Sequence, residues 1–154
     1  MFRRRGPAET FLSVSDRSAI ADAIASAERA TSGEIRVKVI TRCDSDVHGN
    51  IRDQAVREFQ KEGLCQTRDK TGVLILIVVE EKRLYILADE GINSKVNQKY
   101  WDDHATGLQF HFKVGAFARG LSVVIASIGA DLAKHFPRSA DDINELSNEV
   151  IVGG

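Results

Sequence analysis

Cysteine is scarce in this 154-residue chain: only Cys43 and Cys65 occur, and neither belongs to a C-x-x-C pair. A disulfide framework is therefore not expected, and two free thiols fit a reducing compartment, which points to the cytoplasm. An excess of charge of one sign is also missing. With 21 basic and 22 acidic residues the formal net charge is −1, which argues against a general nucleic-acid or membrane-surface role, because neither polyanion has a field to pull on. Long hydrophobic runs are absent too. The longest, Val73 to Val79, falls far short of the roughly 20 residues that span a bilayer. The basic start Met1 to Arg5 is followed by Gly6 to Thr10 rather than by the apolar segment of a signal peptide. The sequence contains no G-x-G-x-x-G, Walker P-loop, H-E-x-x-H or G-x-S-x-G. Neither cysteine is followed by an arginine at the spacing of a phosphate-binding cysteine loop, so nucleophilic cysteine chemistry is not expected either.

What is present is ordinary globular composition, 43% hydrophobic and 28% charged, in a chain long enough for one domain that buries roughly 70% of its unfolded surface. After a polar arm, residues 1–14, Ser15 is a credible N-cap. Ile20, Ala23, Ile24 and Ala27 then give one apolar helical face, ending near Ala30 before Gly33. Ile35, Val37 and Val39 alternate with Arg36 and Lys38, which predicts a strand with one wet face at a sheet edge. Ile51, Ala55, Val56 and Phe59 mark a second helix that ends at Gly63. Val73 to Val79 reads as a strand buried on both faces, and Leu84 to Ala88 follows it closely enough to form an antiparallel hairpin. The helix between the first two strands makes them parallel. Two long helices follow, Ile92 to Phe112 and Phe117 to Phe136, and Pro137 ends the second. An acidic tail, residues 138–154, remains, with one short turn possible over 141–150. The expected architecture is an α/β sandwich in three layers, α/β/α, with a small mixed sheet, residues 15–137 forming the domain.

Candidate chemistry lies in the acids. Asp44 and Asp46 stand in a glycine-containing loop after the first strand. They resemble the opening of an EF-hand loop, but Ala55 holds the place of its bidentate glutamate. As an aspartyl-phosphate loop the segment has His48 at the wrong place, so a solvated turn is the alternative. His104 and His111 lie two helical turns apart, about 10 Å, too far to share a zinc ion. His48 and His135 read as surface or capping residues. The strand directions are more informative. Glu34 begins the first strand, the second begins after Asp69, and the antiparallel third ends at Asp89-Glu90-Gly91. These acids should gather at one end of the sheet, repelling each other unless a cation or the neighbouring Arg68 and Lys70 compensates. Asp102 and Asp103, beside Trp101, are either further ligands or a solvated helix face.

Ser32-Gly33-Glu34-Ile35-Arg36-Val37, Thr71-Gly72-Val73-Leu74-Ile75 and Asp89-Glu90-Gly91-Ile92-Asn93 occur in an order that resembles the TPM domain family. The connection Phe112-Lys113-x-Gly115-x-Phe117-x-x-Gly120-Leu121 is similar as well. The ending His135-Phe136-Pro137 with Asp141 to Leu146 resembles the family's short soluble bacterial branch. The resemblance covers about Ser15 to Val150 and implies an α/β sandwich. It also implies kinship with thylakoid-lumen proteins linked to photosystem II repair, for which acid phosphatase activity has been proposed, and with bacterial proteins that bind calcium or another divalent ion. Thr71 departs from the family, which often carries asparagine before the strand glycine, so a ligand role for that amide is lost. Two functions are carried forward. One is a calcium- or magnesium-binding module with an interaction or regulatory role and an unidentified protein partner. Its metal candidates are Glu34, Asp69, Asp89, Glu90, Asp102 and Asp103. The other is a metal-assisted, acid phosphatase-like hydrolase, for which no nucleophile, general base or glycine-rich phosphate cradle is visible.

Overall fold

The computed structural model describes residues 6–114, 117–138 and 148–153, with side chains through His111 and again from Phe117. In chain order the elements are α1 (Pro7–Phe11), α2 (Val14–Glu28), β1 (Glu34–Ile40), α3 (Ile51–Lys61), β2 (Gly72–Val78), β3 (Arg83–Ala88), α4 (Glu90–Asn93), α5 (Gln98–Val114), α6 (Phe117–His135) and β4 (Ile151–Val152). The strands form one mixed sheet in the order β3-β2-β1-β4. β1 and β2 are parallel, with Glu34 opposite Gly72 and Ile40 opposite Val78. β2 and β3 form the expected antiparallel hairpin. No described helix is long and apolar enough to cross a membrane.

Helices cover both faces. On one, Ile35, Val37, Val39, Val73, Ile75 and Ile77 pack with Ile20, Ile24, Trp101, Leu108, Leu121 and Ile125 from α2, α5 and α6. On the other, Ile40, Leu74, Leu76, Val78 and Leu87 pack with Ala55, Phe59 and Leu64. Leu74, Ile75, Leu76 and Ile77 are each 0% exposed, as a strand without alternation requires when both faces are covered.

Several sequence expectations give way. β1 is not an edge strand, because β4 pairs with it in parallel through Lys38–Ile151 and Val39–Val152. Its polar alternation is not a wet face either: Lys38 is buried and ion-paired to Glu58 at 2.7 Å and Glu62 at 2.8 Å on α3. The N-cap of α2 is Ser13 rather than Ser15. Ser13 stands three residues before Asp16, the spacing of a reciprocal capping box, and Asp16 N–H donates to Ser13 Oγ at 2.9 Å while Ser13 N–H donates to Asp16 at 3.2 Å. The arm contains α1, and Ala8 within it and Leu12 just past it are buried in the main core, while the tail contributes β4 to the sheet. The single helix read over Ile92 to Phe112 is two, α4 and α5. Asn97 separates them and accepts a hydrogen bond from Tyr100 N–H at 3.3 Å. The turn expected over 141–150 falls largely outside the described residues.

Candidate functional site

Gly72 organises one end of the sheet. Glu34 lies opposite it on β1, and Asp89 N–H donates to its carbonyl at 2.9 Å from the β3 side. Glu34 and Asp89 are thus two strand spacings apart, roughly 10 Å between backbones, at the same end of the sheet. Glu34 is buried, and its N–H donates to Thr71 O at 3.0 Å. The approach to β2 is a tight loop in which Thr71 N–H donates to Thr67 Oγ1 at 3.2 Å and Lys70 takes a left-handed backbone, φ 56°. Asp89 is the N-cap of α4. Its Oδ1 accepts from Glu90 N–H at 2.8 Å, while its buried Oδ2 has no hydrogen-bond partner among the described residues. Gly91 meets the loop directly. A Cβ there would run into the carbonyl oxygens of Asp69 and Lys70, so the absence of a side chain lets the first turn of α4 rest on those carbonyls.

The remaining acids are spread around this junction. Asp69 pairs with Arg68 and Glu90 with Lys70, both at 3.5 Å between exposed groups. Asp102 accepts from Gln98 at 2.9 Å and Asp103 pairs with Lys99 at 3.0 Å, each one turn away along α5, so these two residues take the helix-face reading. Among the described residues, no three His, Cys, Asp or Glu side chains converge closely enough to hold a metal ion by themselves. A cation here would need backbone oxygens besides the carboxylates.

The Asp44–Asp46 loop is already occupied by a cation of the protein's own. Arg57 Nη1 reaches Asp44 at 3.1 Å and Asp46 at 2.7 Å, and Nη2 reaches Asp46 at 2.8 Å. The guanidinium holds the Asp46 carboxyl below its ordinary range. The two cysteines are free, as expected. Cys43 lies against Glu81, and burial together with that carboxylate pushes its thiol up to about 11, which leaves it a poor nucleophile.

Sequence reasoning missed Glu28. It is 4% exposed at the end of α2, and its Oε2 accepts Ile35 N–H at 2.7 Å, standing in for a neighbouring strand at the start of β1. Burial raises its carboxyl to about 8, opposed by the Ile35 hydrogen bond and reinforced by the charge of Glu34. A carboxylate in the last turn of a helix opposes the macrodipole, and that misplaced charge is the signal available in the sequence. Tyr100 was missed as well. Its hydroxyl donates to Asp131 on α6, and His104 packs edge-on against its ring. Burial holds His104 below its ordinary pKa, against the pull of Asp131 and Asp103.

Residues 8–131 match the family description TPM domain. The solution structure of the BA42 protein from the psychrophilic bacterium Bizionia argentinensis is 39% identical with a TM-score of 0.83, over 94% of this chain and 97% of that one. The N-terminal domain of a protein from P. gingivalis is 16% identical with a TM-score of 0.67, over 82% of this chain and 80% of that one, a likeness of fold alone. No curated protein matches the chain significantly.

Proposed function

The chain belongs to the TPM domain family, and from that premise we propose that it is a divalent-cation-binding module whose site is the junction of the 67–71 loop with the first turn of α4. The observation that carries the reading is the buried Asp89 Oδ2, which has no hydrogen-bond partner among the described residues; two residues on, at Gly91, α4 meets the Asp69 and Lys70 carbonyls. A buried carboxylate oxygen without a donor is costly, and a hard cation is one way to satisfy it. Carboxylate and carbonyl oxygens from separate segments suit calcium, which accepts irregular six- to eight-fold coordination at about 2.3–2.6 Å. Magnesium would keep more of its water. Asp89 would be the central ligand, completed by backbone carbonyls of the loop, with Glu90, Asp69 and Glu34 contributing negative potential from around the junction. Lys70, paired to Glu90 in this structure, is the cation that a metal would displace. Such a site couples ion binding to the position of α4 and gives the module an interaction or regulatory role.

Titration of the 15N-labelled protein with calcium and then magnesium chloride tests this reading. Amide shifts should saturate at 69–72 and 89–92. Shifts centred on 44–57, or none up to millimolar calcium, would refute the site. The metal-assisted hydrolase reading is separated by an aryl phosphate assay in saturating magnesium. No turnover is expected of a binding module, whereas a rate lost in Asp89→Asn would establish hydrolysis.

A further inference from the structure

β3 is the outer strand of the sheet. Because Asp89 N–H bonds to Gly72 O, the antiparallel ladder turns residues 83, 85, 87 and 89 towards β2 and leaves the carbonyls of residues 82, 84, 86 and 88, with the N–H groups of 84, 86 and 88, facing outward. Three of these four outward carbonyls are met by carboxamides. Asn93 Nδ2 donates to Ala88 O at 3.0 Å, Gln98 Nε2 donates to Ile86 O at 3.3 Å, and Gln109 Nε2 donates to Lys82 O. Leu84 is the exception, for among the described residues no side chain meets its outward N–H or C=O. The reason is legible on α5, where residues 98, 102, 105 and 109 share one face. The position that falls between the two glutamines is Ala105, which is too short to reach the strand. The shortfall opens a notch of about 350 Å³ lined by Leu84, Ala105, Thr106, Gln109 and Phe110. Phe110 stands at its rim, 61% exposed.

We propose that this notch is an interaction site for a primary carboxamide presented by a partner protein, an Asn or Gln side chain next to an apolar residue. A carboxamide offers one acceptor and two donors in a plane, so it can pair with the N–H and C=O of a single residue. A carboxylate cannot donate and an ammonium cannot accept. The protein's own treatment of the neighbouring carbonyls follows the same chemistry. A whole added strand has no room, because Gln98 and Gln109 hold the edge on either side. The Thr106 hydroxyl is already committed to Asp102 O at 2.9 Å, so recognition falls on Leu84, with Phe110 as the apolar contact for the adjoining residue.

The test is an amide-shift titration with acetyl-Gln-Phe-N-methylamide up to about 20 mM, the range in which so small a ligand saturates. Saturable shifts are expected at 83–86 and 104–110. The acetyl-Glu-Phe-N-methylamide analogue should bind roughly ten-fold more weakly, the effect of one lost hydrogen bond. Ala105→Gln, which completes the row from within, should abolish the shifts and raise the melting midpoint. Phe110→Ala, at an exposed position, should weaken binding in a protein that keeps its fold. No shifts at that concentration, equal binding of the glutamate analogue, or full binding by Ala105→Gln would each overturn the proposal. So would shifts at these amides that follow protein concentration without peptide, which would assign the notch to a second copy of the chain.

Discussion

Glu28 shows how far one residue can be set by its surroundings. Its folded carboxyl, raised to about 8 from an ordinary 4.5, stays protonated where the unfolded chain has already ionised. The stability linked to that proton is therefore fully present below about pH 4.5 and is lost as pH rises through 8. Glu28→Gln keeps an acceptor for Ile35 N–H and removes the titration. Stability measured by urea unfolding should then fall less between pH 5 and pH 8 in the variant than in the parent, by roughly 2–4 kcal/mol. An unchanged difference would place the proton elsewhere. Asp46 is the opposite case, for its carboxyl lies below the ordinary range through its hydrogen bonds to Arg57. The stability it contributes is present at neutral pH and lost as pH falls through the folded value. Arg57→Gln should return the Asp46 carboxyl resonance to ordinary titration, with other spectral changes confined to the Asp44–Asp46 loop and the neighbourhood of residue 57 on α3.

At the scale of elements, the contrast between β1 and β2 shows what patterning can and cannot reveal. Val73 to Val79 identifies a doubly buried strand because hydrophobic burial needs only composition. The alternation at Arg36 and Lys38 misleads because burial of a charge depends on partners distant in sequence. Glu58 and Glu62 on α3 receive Lys38, and Gln54 donates to Glu58 at 3.3 Å. Burial pulls the Lys38 pKa down, but its hydrogen bonds to both glutamates override this and hold the ammonium charged. Lys38→Met would leave two carboxylates together under α3 and should destabilise the fold by about 3–5 kcal/mol, the range for breaking a buried pair from one side. Adding Glu58→Gln should restore part of that loss in the same urea series; no restoration would mean the network does not act as a unit. The cap of α2 is a smaller matter of the same kind. Ser13→Ala should cost about 1 kcal/mol and Ser15→Ala much less, which thermal unfolding of the two variants would distinguish.

At the scale of the molecule, the strand directions were enough to bring Glu34, Asp69, Asp89 and Glu90 to one end of the sheet, since a parallel pair followed by a hairpin leaves no other arrangement. Three things lay beyond the sequence. Gly91 reads only as part of the exit from the third strand until the loop carbonyls beneath it are seen, and the two-residue β4 is too short to announce itself in a polar tail. Asp102 and Asp103 leave two readings open in the sequence, ligands or a solvated helix face, and their one-turn partners Gln98 and Lys99 are seen only in the fold. The proposed divalent-cation site has Asp89, with its buried Oδ2, as its principal ligand. Calorimetric titration of calcium into the parent and into Asp89→Asn tests it most directly. Affinity in the variant should fall at least about ten-fold, the loss of one charged ligand at 1.4 kcal/mol or more. Equal affinities in the two proteins would contradict the claim.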